Sequence, residues 1–234
     1  EEAKRLGIPV LVTDHHLAGN SLPDAAAIVN PNQPDCSFVS KAMAGVGVAF
    51  YLMLATRAKL RDLEWFQQGS VTEPNMAQFL DLVAVGTVSD LVPLDQNNRI
   101  MVAMGLERIR SGKACAGIYA LLNVAKRLPK QVTSTDIGFA IGPRINAAGR
   151  LDDMSEGIEC LLADDPYQAL ELASHLDSLN KERKDIEVSM KDEAIRFVEE
   201  NKDEPFSLDL AYNAVHELIH EVPDEYLEKW DAPK

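Results

Sequence analysis

The chain has 234 residues, 46% of them hydrophobic, and a formal net charge of −14. That length supports one large domain, or one domain with appendages, and no apolar run approaches the roughly 20 residues a membrane crossing requires. The acidic balance argues against a surface that coats nucleic acid generically, but it is compatible with a carboxylate-rich metal site, where bound cations restore the local sign.

The first residues, Glu1 to Gly7, read as the last turns of a helix closed by a glycine. No signal peptide and no initiating Met open the chain, so it is read as a segment of a longer protein. The β-branched run Ile8 to Thr13 then predicts a buried parallel strand, an inner strand of a sheet whose earlier members lie outside the chain. Asp14, His15 and His16 follow at its carboxyl end, where open α/β sheets collect ligands. An acid and two imidazoles there suit metal or phosphate chemistry. A single loop histidine is more often structural, but a pair behind a carboxylate is harder to dismiss.

Residues 17 to 34 carry the breakers Gly19, Asn20, Pro23, Asn30, Pro31 and Pro34, with Ala25 to Val29 as a second short strand. Ala42 to Leu60 has helical spacing, and its Gly45 and Gly47 serve either a phosphate loop or tight packing. Helices are predicted over 75–85, 97–109, 117–128, 134–141 and 154–162. Asp90 lies between Gly, Thr, Ser and apolar residues, where a carboxylate is expensive to bury unless paired or coordinated, or else it caps a helix. The stretch Gly142 to Arg150 reads as a loop. Its Arg144, Asn146 and Arg150 could approach an anion, or its arginines could pair with Asp152, Asp153 or Glu156.

Asp165 and Pro166 form a helix start, and no Gly or Pro recurs until Pro205. One helix of about 35 residues, roughly 50 Å long, is expected there. Residues 201 to 234 are different, with nine acids against three lysines. Cys36, Cys115 and Cys160 form no zinc or disulfide pattern and read as reduced thiols of a cytoplasmic protein.

Four segments occur in one order: Val12 to His16, Ala44 to Phe50, Gly86 to Leu94 and Gly142 to Asp153. Together they make the chain resemble the DHH phosphoesterase family over residues 1 to about 200, and within it the single-strand-specific 5′→3′ DNA exonucleases of repair and recombination. The resemblance implies a two-metal phosphodiesterase supported by Mn²⁺ or Mg²⁺. It makes His15 and Asp90 metal ligands and Asp14 and His16 the catalytic pair, with His16 facing the phosphate and Asp14 supporting the histidines. It places Arg144, Asn146 and Arg150 along the nucleic-acid path. It also implies single-stranded DNA as substrate, no membrane, and repair proteins such as a single-strand-binding protein or a helicase as partners.

The expected architecture is an α/β catalytic domain, 1–163, with a partial parallel sheet wrapped by helices. A long connecting helix, 164–200, and an unassigned acidic tail, 201–234, follow. The family's earlier Asp-rich motifs and its second domain are not in the chain, so the isolated segment is expected to be inactive. Two alternatives stand beside this reading. One is a non-catalytic DHH-like scaffold. The other, less favoured, is a zinc protease through His216-Glu217-Leu218-Ile219-His220, whose third ligand is hard to find.

Overall fold

The structure is a computed structural model describing residues 2–19, 21–69, 71–151 and 153–203; at Arg150 and Leu151 only the backbone is described. The His216–His220 motif lies outside the described residues.

The chain opens with the short helix α1 (Glu2–Arg5), and Gly7 turns out of it at φ +69°. Strands β1 (Leu11–Thr13) and β2 (Ala27–Val29) pair in parallel with Leu11 opposite Ala27 and Thr13 opposite Val29. Parallel pairing was expected, but burial was not obtained. Leu6, Ile8 and Leu11 are each more than half exposed. An apolar run predicts a buried strand only if layers cover both faces, and among the described residues β2 is the only strand paired with β1.

Helices supply the rest: α2 (Gly45–Asp62), α3 (Trp65–Gln68), α4 (Leu80–Ser89), α5 (Gln96–Arg110), α6 (Ala116–Val124), α7 (Ser134–Asp136), α8 (Gly142–Leu151), α9 (Ser155–Leu162) and α10 (Pro166–Asn201). The central one is α4, mostly apolar apart from Asp81, Thr87 and Ser89 and largely buried. Leu80 and Val83 join Met43, Val48, Phe50, Met76 and Met101 in one core cluster. Ala84 and Val85 join a larger one with Leu106, Ile109, Leu121, Ile141 and Leu176.

The predicted loop 142–150 is a correction: it is α8, entered through a π-helical turn, Ile137–Ile141. There the Gly142 N–H reaches back five residues to the Ile137 carbonyl. Proline in an ordinary α-helix clashes with the carbonyl four residues before it. The widened turn makes room for Pro143, so the helix continues. Asp165 caps α10 as expected, accepting from the Tyr167 N–H at 3.0 Å, with Pro166 at its first position.

Candidate metal and phosphate site

Asp14 organises the turn after β1. One oxygen, Oδ1, accepts from the N–H of His15 at 2.7 Å and of His16 at 3.2 Å, and lies 2.8 Å from His16 Nδ1. The His16 ring, followed by its backbone N–H, holds the Asp14 carboxyl below the ordinary carboxylate range against the opposing effect of burial. Donor atoms of Asp14, His15 and His16 all lie within 4.8 Å of one another.

His15 points inward. Its Nε2 lies 3.4 Å from Asp90 Oδ2, and its ring rests against Gly45, the first residue of α2. Asp90 arrives from the opposite direction as the C-cap of α4. The two segments meet because α2 and α4 pack closely: a Cβ on Gly86 would sit 2.7 Å from Val46 Cγ1. Gly47, by contrast, packs on the Met43 side chain and serves no loop.

Two helix ends therefore converge here. The α4 C-terminus carries a partial negative charge, so the Asp90 carboxylate there calls for a cation. The α2 N-terminus beside His15 presents unpaired N–H groups, which favour an anion. A site that holds a cation next to an anion has the electrostatics a metal–phosphate pair requires.

The remaining sequence candidates divide. Asn146 joins Asp90 in the wall of a cleft of about 570 Å³ that is otherwise mostly apolar, with Val46, Val85, Met154 and Leu161. Arg144 is committed elsewhere: its Nε and Nη2 bind Asp177 Oδ1 on α10 at 2.9 and 2.7 Å, and its Nη1 donates to the Ala140 carbonyl. Its expected pairing with Asp152, Asp153 or Glu156 is thus replaced by Asp177. Arg150 lies in α8 by its backbone.

Two residues beside the site were missed in the sequence: Asn30 was read only as a loop breaker, and Asn32 was not singled out. Asn30 donates to the His16 carbonyl at 2.9 Å, and Asn32 to the His15 carbonyl at 2.7 Å. The available signal was their place just beyond the strand that pairs with the one ending in Asp14.

Residues 1–87 match the model of the DHH family, N-terminal domain. The single-stranded-DNA-specific exonuclease RecJ of Dickeya dadantii is 54% identical over 221 residues, 94% of this chain and 38% of that protein. The chain therefore spans little more than a third of that relative's length. A match of 221 residues also runs into 201–234, beyond the limit near residue 200 expected from the motifs. A crystal structure of exonuclease RecJ bound to manganese superposes with a TM-score of 0.68 at 33% identity, over 81% of this chain and 44% of that one. RecJ of Thermus thermophilus in complex with Mg²⁺ gives 0.61 at 32% identity, over 79% and 26%.

Proposed function

We propose that the full-length protein is a metal-dependent 5′→3′ exonuclease that hydrolyses phosphodiester bonds of single-stranded DNA in repair and recombination. The observation that carries this reading is the approach of His15 to Asp90 at the shared end of α2 and α4. His15 and Asp90 are the metal ligands in this proposal. Imidazole and carboxylate together suit Mn²⁺, whereas Mg²⁺ favours oxygen donors alone. A bound divalent cation would supply an activated water and neutralise charge on the phosphate.

The chain's own groups have defined tasks. Asp14 keeps His16 oriented by its hold on Nδ1, leaving Nε2 to face the phosphate. The first turn of α2 attracts the same anion. Asn146 contacts the nucleotide from the cleft wall it shares with Asp90, and Arg150 lies further along the same helix toward the nucleic-acid path. Arg144 acts one step removed, fixing α8 to α10 so that Asn146 stays beside Asp90. Residues 1–163 form the catalytic portion in this reading, 164–200 the connection, and 201–234 stay unassigned. A cytoplasmic location and partners such as a single-strand-binding protein or a helicase belong to the same proposal. Among the described residues no helix is long and apolar enough to cross a membrane.

One imidazole and one carboxylate do not make a two-metal cluster. The 234-residue chain alone is expected to bind Mn²⁺ weakly and to show no appreciable nuclease activity. The test uses the full-length protein: Mn²⁺-dependent release of nucleotides from single-stranded DNA, lost in His15→Ala and in Asp90→Ala. Activity that survives both substitutions overturns the proposal, and a full-length protein inert under all metals supports the scaffold instead.

A further inference from the structure

The backbone around His15 and His16 is held from both sides. Their N–H groups are taken by the Asp14 carboxylate and their carbonyls by Asn32 and Asn30. The hydrogen-bond ladder between β1 and β2 ends where the Asp14 N–H donates to the Val29 carbonyl at 3.1 Å. Beyond that point the two asparagines continue the connection with side-chain amides in place of backbone groups. They also bind each other's segment, since the Asn32 N–H donates to Asn30 Oδ1 at 2.8 Å.

The amide of Asn32 has a second acceptor, the Lys41 carbonyl at 3.1 Å. Lys41 in turn places its ammonium on the carbonyls of Pro31 and Cys36, both at 2.6 Å. Residue 41 precedes α2 by only a few residues, and α2 begins at Gly45, against which the His15 ring rests. Asn32 thus ties the backbone of His15 to the segment that places the α2 N-terminus.

We propose that Asn30 and Asn32 are positioning residues of the metal and phosphate site, and that Asn32 sets the approach of His15 to Asp90. The inference rests on the metal reading of His15. An imidazole on an untied dipeptide would sample several directions, and each direction away from Asp90 costs cation affinity. Asn32 rigidifies the peptide plane from which the ring projects, so its effect is on ligand geometry and not on the ligand atoms. Partners of this kind, one step removed from a metal, characteristically contribute about 10- to 100-fold in affinity.

The experiment is a Mn²⁺ titration of the full-length protein, with free ion followed by electron paramagnetic resonance, alongside thermal unfolding without metal. Asn32→Leu retains the approximate shape of the side chain and removes both donations. It is expected to weaken Mn²⁺ binding by about 10-fold or more. Asn32→Ser keeps a shorter donor and guards against a variant that does not fold; an intermediate loss is expected there. His15→Ala is the reference and should abolish the site. Binding that falls in His15→Ala but is unchanged in a folded Asn32 variant, whatever its melting temperature, overturns the positioning role alone. Binding unchanged in His15→Ala overturns the metal reading and this inference with it.

Discussion

At the scale of single residues, Asp90 is the side chain with the most to lose. It is a carboxylate at the negative end of α4, an unfavourable place unless a cation or a protonated imidazole is near. Asp90→Asn keeps the shape and removes the charge. In metal-free protein the substitution is expected to be neutral or slightly stabilising, by a few tenths of a kcal/mol, because the dipole conflict disappears. In Mn²⁺ the order should reverse, since only the wild type gains stability from the ion. Melting curves of both proteins with and without Mn²⁺ give the answer, and a stabilisation by Mn²⁺ equal in both would remove Asp90 from the ligand set. The twin histidines and Asp90 were legible in the sequence as candidates because of their residue types, and the structure brings His15 and Asp90 together. Asn30 and Asn32 were not, because they act on backbone carbonyls fourteen and seventeen residues away in sequence, respectively, and no local pattern encodes a distant carbonyl.

At the scale of elements, α8 is seated by two contacts with different physics. One is steric. A Cβ on Gly142 would lie 2.7 Å from Ser89 Oγ and 3.1 Å from Ser89 Cβ, so α8 meets the end of α4 only because residue 142 has no side chain. Gly142→Ala should destabilise by about 1–3 kcal/mol through overpacking. In a Ser89→Gly background most of that loss should vanish, and a double-mutant cycle from urea denaturation measures the coupling. The other contact is electrostatic. Burial alone would raise the Asp177 carboxyl, but Lys181 and Arg144 outweigh it and hold it below the ordinary range. A carboxyl with a lowered folded value contributes stability above its unfolded value near 4, and that contribution is lost as pH falls through the folded value. The stability gap between wild type and Asp177→Asn should therefore be wide at pH 7 and close below pH 4; a gap independent of pH would mean that packing, not charge, holds α8 to α10. These contacts also show why α8 was misread. Gly142, Pro143 and Gly149 are strong breakers locally, and the neighbours that reverse their meaning, Ser89 and the π turn, are set by tertiary structure. The strand β1 was misjudged for the same reason: its composition encodes apolarity, while burial depends on what lies against it.

At the scale of the whole molecule, α10 divides the protein into a packed part and an unsupported one. Its buried residues, Ala169, Ala173, Leu176, Asp177, Leu179 and Asn180, all fall in its first fifteen positions. Beyond Asn180 the exposed apolar residues Ile186, Val188 and Ile195 alternate with charges, and Arg183 pairs with Glu187 along the helix itself. A helix of about twenty residues without tertiary cover is marginal in water, because nucleation is unfavourable and each added residue gains little. Its distal half is therefore held mainly by continuity with the packed half. Amide exchange should be slow from about Ala169 to Asn180, at a rate set by global unfolding, and should quicken progressively toward Asn201. A cut in protection near residue 180 in the 234-residue chain that is absent from the full-length protein would show that the distal half is a docking surface completed by residues outside this segment. Uniform protection along all thirty-six residues of the helix in the isolated chain would instead show that it pairs with something already present, and would rule out α10 as a bridge extending from the packed part.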